Sequence, residues 1–304
     1  MRPEIDGALA RRLVDTQFPR WAGLPLRRVR PGGSDHVIYR LGAELSVRLP
    51  RHDGAIGQAR KELEWLPRLA PHLPLAVPVP VAVGEPDFGY PWAWAVSRWL
   101  EGGVATVEAL GESVETAVEL AEFLVALQGF APEWVGELGG RTELGGGSLD
   151  GRTDLAGSSL AERNASTRAA IEKVSGDFDA GALRELWDAA LGAPGWGRAP
   201  VWFHGDFHTG NLLTVDGRLS AVIDFGGLGI GDPACDLTMA YTLMSGPSRA
   251  VFREALGDSV DEATWLRGRG WALTTGLSAY TAYADGNPRI AAATTRQIRE
   301  ALVG

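Results

Sequence analysis

The run HGDFHTGNLL, from His204 to Leu213, gathers two histidines, an aspartate and an asparagine into one short stretch of a 304-residue chain. His204 and His208 stand four apart, Asp206 lies between them, and Asn211 follows the aspartate by five positions. Two chemistries use such residues. Imidazoles at i and i+4 on one helix face hold zinc in H-E-x-x-H hydrolases. An aspartate with an asparagine five residues on forms the catalytic loop of phosphoryl-transfer enzymes, where the carboxylate faces a substrate hydroxyl and the amide holds magnesium. Gly205 and Gly210 flank the aspartate, and the run sits between the β-prone PVWF and LLTV. That context is a loop between strands, not a helix. No glutamate follows His204 and no third ligand of the usual kind stands near, so zinc is the weaker reading.

VIDFGG, Val222 to Gly227, extends the argument. Asp224 comes after a turn signal at Asp216-Gly217 set between two short strand-like runs, a hairpin that folds the chain back. Protein kinases carry H-R-D-x-x-x-x-N followed by D-F-G. Here His204-Gly205-Asp206 precedes Asn211 at the same spacing and Asp224-Phe225-Gly226 follows, with glycine where kinases have arginine.

Composition narrows the setting. Hydrophobic residues make up 45% of the chain and tryptophan occurs 11 times, which suits a globular enzyme with a sizeable core. Cys235 is the single cysteine, so no internal disulfide forms, as expected of the cytoplasm. The N-terminal residues mix charges without an apolar run, and nothing later reaches the roughly 18 apolar residues of a membrane span. A net charge of -9 disfavours nucleic acid as a partner and suits a cationic small molecule. Lys61 and Lys173 are the only lysines, so arginine must do most cationic work.

Periodicity predicts a helix over 5–21, then β-prone runs over 26–30, 37–41 and 44–49 parted by turn residues, a helix over 55–69 ended by prolines 71 and 74, and strands over 77–84 and 92–100. Helical patterns follow over 107–130, the longest periodic segment, and over 161–191 and 248–302. The glycine-rich stretch 136–160 reads as a long surface loop. Asp232 with Pro233 after it is an ordinary helix-start signature.

On these motifs the chain resembles the aminoglycoside phosphotransferases and related small-molecule kinases. The resemblance rests on HGDFHTGNLL and IDFGGLGIGDPACDL, and extends to SVRLPR, RKELEWLPRLAPHLPLAVPVPVAVGEP and WAVSRWLEGG, covering most of residues 26–245. It implies an α+β, bilobal protein-kinase-like fold, with an N-terminal nucleotide-binding lobe over 1–100 and a helical C-terminal lobe over 101–304. The first lobe would hold an antiparallel sheet plus one main helix, the second the catalytic loop and the acceptor pocket. It implies Mg2+ and ATP or GTP as cofactors, with Asp206 as catalytic base or hydroxyl-orienting carboxylate and Asn211 and Asp224 as magnesium ligands. His204 would support the loop, and Asp236 would anchor it through backbone N–H groups. His208 has two readings, contact with substrate or phosphates and shaping of the loop.

On the nucleotide side the resemblance puts Arg48, in ELSVRLP, where kinases have lysine, with Glu62 as its helix partner and Glu64 second. Alternation along that strand turns Arg48 away from the core side. Gly33 and Ser34, with Asp35, occupy the place of the phosphate-covering loop. Ser97, Arg98 and Trp99 occupy the hinge, where a purine meets backbone, so ATP and GTP are not distinguished. Trp271, Tyr280, Tyr283 and Asp285 are acceptor-pocket candidates, although aromatic residues at helical spacing are ordinarily core. The expected reaction is transfer of the γ-phosphate to a hydroxyl of an aminoglycoside or related antibiotic. Its alternatives are a metabolic kinase for an amino alcohol, sugar or macrolide and, from Arg48 alone, a nucleotide-binding pseudokinase.

Overall fold

The structure is a computed structural model that describes residues 4–30, 32, 35–130 and 159–304. Gly33, Ser34 and positions 136–158 of the glycine-rich stretch lie outside the described residues. The fold is of the protein-kinase-like type expected, an N-terminal antiparallel sheet followed by a mostly helical part. Two compact units emerge, Met1–Gly102 with Ser220–Gly226, and Gly103–Leu219 with Gly227–Gly304.

The first unit opens with α1 (Gly7–Gln17), capped by Asp6, whose carboxylate accepts from Leu9 N at 2.7 Å. Its buried face, Ala10, Leu13 and Val14, packs on a five-stranded antiparallel sheet of β1 (Leu26–Arg28), β2 (His36–Leu41), β3 (Leu45–Pro50), β4 (Pro80–Gly84) and β5 (Trp94–Arg98). The strand order is β1-β2-β3-β5-β4, so β3 is central. Val37, Tyr39, Leu41, Val47, Leu49 and Val96 complete that core with Trp94, whose ring crosses Gly84 so closely that a Cβ there would lie 2.1 Å from it. Between β3 and β4 comes α2 (Gln58–Leu69), which tolerates Pro67 in its last turn and stops before a 3-10 turn at Ala70–His72.

The alternation expected of β3 holds, since Val47 and Leu49 join that core and Arg48 does not, but Ser46 and Arg48 are buried as well, on the other face. A central strand covered on both faces loses the exposed side that a period of two implies.

The second unit contains β6 (Gly103–Val104), α3 (Val107–Leu110), α4 (Val114–Gly129), α5 (Asn164–Lys173), α6 (Ala180–Gly192), β7 (Val201–Phe203) and β8 (Leu212–Val215). β9 (Arg218–Val222) follows and ends in the first unit, where Ala221 bridges Ala76. Then come β10 (Gly229–Gly231), α7 (Met239–Thr242), α8 (Gly246–Leu256), α9 (Glu262–Tyr283) and α10 (Pro288–Val303).

The continuous helix predicted over 107–130 is two helices. Gly111 sits where a Cβ would come within 2.9 Å of Leu243 O, and Ser113 restarts the chain as N-cap, accepting from Thr116 N at 3.1 Å. The helix predicted over 161–191 is likewise interrupted, with Asp179 capping α6. α9, with 22 residues, is the longest helix among the described residues, not the 107–130 segment. It lies against neighbours through Gly268, whose added Cβ would stand 2.6 Å from Leu237 Cβ, and Gly270, equally close to Ala190 Cβ. Among the described residues no helix is long and apolar enough to cross a membrane.

Candidate active site

The predicted residues fall into two groups, one in each unit. In the second unit β7 delivers the chain to His204, and β10 pairs with it antiparallel. Gly205 has φ +84°, and a Cβ there would lie 2.1 Å from Gly227 O. Two glycine backbones pass in contact, which accounts for glycine in place of the kinase arginine. Asp236, fully buried in the 3-10 segment Pro233–Thr238, accepts from His204 N at 2.7 Å and Gly205 N at 2.8 Å. Burial pushes its carboxyl up to about 7 against the pull of those amides.

His204 is also fully buried. Its Nδ1 accepts from Asp206 N at 3.2 Å, and its ring lies 5.5 Å from that of Phe207, which stacks on Phe123. The Asp206 backbone is therefore held from below while its side chain stays 57% exposed. Asn211 Nδ2 donates to Asp206 O at 2.8 Å and to Asp206 Oδ2 at 3.1 Å. His208 Nδ1 accepts from Gly210 N at 3.0 Å, capping the 3-10 turn Thr209–Asn211, and its Nε2 stands 3.6 Å from Asp206 Oδ2. Desolvation raises the Asp206 carboxyl, but the His208 ring, the nearby His204 and the Asn211 amide together bring it below the ordinary aspartate value. His204 and His208 do not share a helix face, so the geometry of the zinc reading is not formed.

Asp232 caps the segment that carries Asp236, accepting from Ala234 N at 3.0 Å. It also receives Arg267, Nε to Oδ2 at 2.7 Å and Nη2 to Oδ1 at 3.1 Å. Nothing in the spacing of Asp232 and Arg267 along the chain pointed to that pair.

In the first unit Arg48 Nη1 donates to Glu62 Oε2 at 2.6 Å and Nη2 to Asp224 Oδ1 at 3.3 Å. Arg48 and Glu62 are buried, whereas the Asp224 side chain is 42% exposed. Burial opposes the Arg48 charge, but Glu62 and Asp224 more than offset it, so its pKa rises. Glu62 is raised by burial despite Arg48. Asp224 takes φ +66°, a left-handed backbone rarely adopted by non-glycine residues. Lys61 Nζ holds the turn that follows, donating to Gly226 O at 2.9 Å. His36, unnoticed in the sequence, is buried beside Arg48. Burial, then the Arg48 charge, lowers it to about 2, leaving it neutral.

Glu64, the second partner candidate for Arg48, is exposed. Ser97 is buried opposite Ser46, whose hydroxyl donates to Ser97 O at 3.3 Å. The amides that follow are engaged, Arg98 N to Val79 O at 3.0 Å and Trp99 N to Glu44 O at 2.7 Å. Among the acceptor candidates Trp271 is buried, with the Arg163 guanidinium 5.0 Å from its ring, and Tyr280 packs edge-on against Phe178. Tyr283 is exposed.

Each unit carries an oxygen donor of the kind a hard cation takes. In the second, Asn211 gives its NH2 to Asp206, which leaves its amide oxygen to offer; in the first, Asp224 has a partly exposed carboxylate.

Solved structures share this fold. Aminoglycoside 2'-phosphotransferase-IIIa in its GDP complex is 18% identical, with a TM-score of 0.71 over 98% of this chain and 99% of its own. The macrolide 2'-phosphotransferase MphH from Brachybacterium faecium, an apoenzyme, is 24% identical, with a TM-score of 0.59 over 94% of this chain and 97% of its own. A gentamicin complex of APH(2")-IIa is 16% identical, with a TM-score of 0.62 over 99% of both chains. No curated protein sequence matches the chain. The sequence model of the phosphotransferase enzyme family matches residues 26–271, a span that takes in Arg48, Glu62 and the whole segment from His204 to Asp236, and the chain belongs to that family, a kinase acting on hydroxyl groups.

Proposed function

We propose that the protein transfers the γ-phosphate of magnesium-bound ATP or GTP to a hydroxyl of an aminoglycoside or related antibiotic, in the cytoplasm, as a resistance enzyme. The observation that carries the reading is Asp206, an exposed carboxylate on a backbone fixed by His204, Asp236 and Asn211. Asp206 orients the acceptor hydroxyl and takes its proton as the acceptor oxygen bonds to the γ-phosphorus. The bond from that phosphorus to the β-phosphate oxygen breaks, and the nucleoside diphosphate leaves. A loose transition state asks more for orientation than for a strong base, in keeping with the lowered pKa of Asp206.

Arg48, oriented by Glu62, pairs with phosphate oxygens through its planar fork. Its pairing with Glu62 supports an active kinase over a pseudokinase, because kinases hold their phosphate-binding cation on a helix glutamate. Asn211 and Asp224 would each offer an oxygen to magnesium, which would supply charge neutralisation on the phosphates. Because the Arg98 and Trp99 amides are already engaged, a purine at the Ser97, Arg98 and Trp99 segment would meet its backbone carbonyls.

A macrolide acceptor is the second reading, favoured by the macrolide 2'-phosphotransferases among the structures of the same fold. The test is incubation with Mg-ATP or Mg-GTP and a panel of aminoglycosides, macrolides, amino alcohols and sugars, read by mass spectrometry for a gain of about 80 Da, one phosphoryl group. A gain on an aminoglycoside supports the first reading and a gain on macrolides alone the second. A gain on a metabolite alone overturns both in favour of a metabolic kinase.

A further inference from the structure

α10 lies beyond residue 271, where the family match ends. One of its side chains nevertheless reaches the turn that supports the catalytic loop. Arg296 spreads its guanidinium over four consecutive carbonyls, Nη1 to Tyr241 O at 3.1 Å and Thr242 O at 3.0 Å, Nη2 to Leu243 O at 3.1 Å and Met244 O at 2.7 Å. Arg249 Nε takes the preceding carbonyl, Ala240 O, at 3.1 Å. A helix end leaves its last carbonyls without intrahelical partners and carries partial negative charge. α7 is a single turn with little stability of its own, and two arginines tie down that end.

The turn so held presents Thr242. Its Oγ1 accepts from Thr209 N at 3.3 Å and lies 3.4 Å from Met239 O, to which it donates. Thr209 begins the 3-10 turn that ends at Asn211, whose backbone N–H donates to His208 O at 2.9 Å and whose side chain holds Asp206. The loop thus has two anchors, Asp236 at His204 and Gly205 and Thr242 at Thr209.

We infer that Arg296 is a positioning residue of the catalytic loop, acting through the Tyr241–Met244 turn and the Thr242 hydroxyl. The inference rests on the reading of Asp206 and Asn211 as the reacting end of that loop. Lysine does not replace Arg296, because three donors on one point cannot reach four carbonyls that a planar fork spans.

The experiment uses the full chain, with Arg296→Ala, Arg296→Lys, Thr242→Val, Thr242→Ser and the double variant of Arg296→Ala with Thr242→Val. Amide hydrogen exchange is followed over residues 204–213. Release of nucleoside diphosphate from Mg-ATP and Mg-GTP, with kanamycin present, gives kcat and KM. Thr242→Val is expected to speed exchange at Thr209–Asn211 about fivefold and to lower kcat by a similar factor. KM for nucleotide stays unchanged, the pattern of a lost transition-state geometry. Thr242→Ser restores both, Arg296→Ala reproduces the valine effect, Arg296→Lys is intermediate, and the double variant adds little because both changes cut one link.

Wild-type exchange and kcat in folded Thr242→Val, or in folded Arg296→Ala, overturn the inference, whatever either change does to the melting temperature; if Arg296→Ala fails to fold, Arg296→Lys takes its place. If the wild type shows no Asp206-dependent phosphoryl transfer, the functional reading has failed, and the exchange measurement alone decides whether Arg296 orders the loop.

Discussion

The two units treat their carboxylates in opposite ways. In the first, Glu62 is buried and bound to a buried arginine, so the acid and the cation define each other's position. In the second, Asp206 is left exposed and the backbone beneath it is fixed by the buried Asp236 and His204. One site rigidifies the charge, the other rigidifies its support. The difference follows from the tasks proposed for them. A phosphate-binding cation must be aimed before ligand arrives, whereas a carboxylate that meets an incoming hydroxyl must stay open to it.

The sharpest way to break this contrast is to remove each carboxylate and measure stability. Glu62→Ala leaves Arg48 buried with Asp224 as its remaining partner and is expected to cost about 3–5 kcal/mol in chemical denaturation. Asp206→Ala, at an exposed position, should stay within about 0.5 kcal/mol. Equal losses at both positions would sink the distinction.

Next in size is Gly205→Ala. A left-handed backbone and a Cβ 2.1 Å from Gly227 O should cost about 2 kcal/mol or more by thermal melting and should impair transfer along with it.

The pH dependence separates the exposed acid from its buried support. Asp236 is raised from 3.8 to about 7, so the folded state holds its proton more tightly than the unfolded chain. Its contribution to stability is greatest at low pH, falls as pH rises across that window and is level above it. Asp206 is lowered, so its contribution is present above the ordinary aspartate value and fades only as pH falls below that value. Melting temperatures taken between pH 5 and pH 8 should therefore lose part of their pH slope in Asp236→Asn and keep it in Asp206→Asn.

The smallest effect is expected at His208. Replacing it by alanine removes the acceptor for Gly210 N and should cost about 1 kcal/mol, with a fewfold fall in kcat. A loss of a thousandfold would show that the ring touches the reacting groups.

The local parts of the molecule were legible in sequence because spacing alone carries them. Asp206 and Asn211 share one loop, the Asp216-Gly217 turn brings in the segment of Asp224, and the turn residues between β-prone runs outline the first sheet. What escaped depends on contacts across long stretches of chain. β10 is Gly-Ile-Gly, too short and too glycine-rich to read as a strand until β7 supplies its partner. The break after α3 falls at Gly111, which packs against Leu243 O, and at the Ser113 N-cap, two local signals outweighed by the apolar period of the longer run. Alternation turns Arg48 away from the core side, as found, but a period of two cannot reveal that the strand is central and covered on both sides. Arg267 on Asp232 and Arg296 on the Tyr241–Met244 turn are ordinary helix arginines in sequence, and only folding gives them their carboxylate and carbonyls.

The central claim, that the exposed carboxylate of Asp206 serves phosphoryl transfer, is tested most directly by comparing wild type with Asp206→Asn. Both proteins are incubated with Mg-ATP or Mg-GTP and an acceptor phosphorylated by the wild type, and initial rates of phosphorylated product are read by mass spectrometry. The account predicts a fall of about 100-fold or more with an unchanged melting temperature. An asparagine variant that keeps a rate within tenfold of the wild type would contradict it.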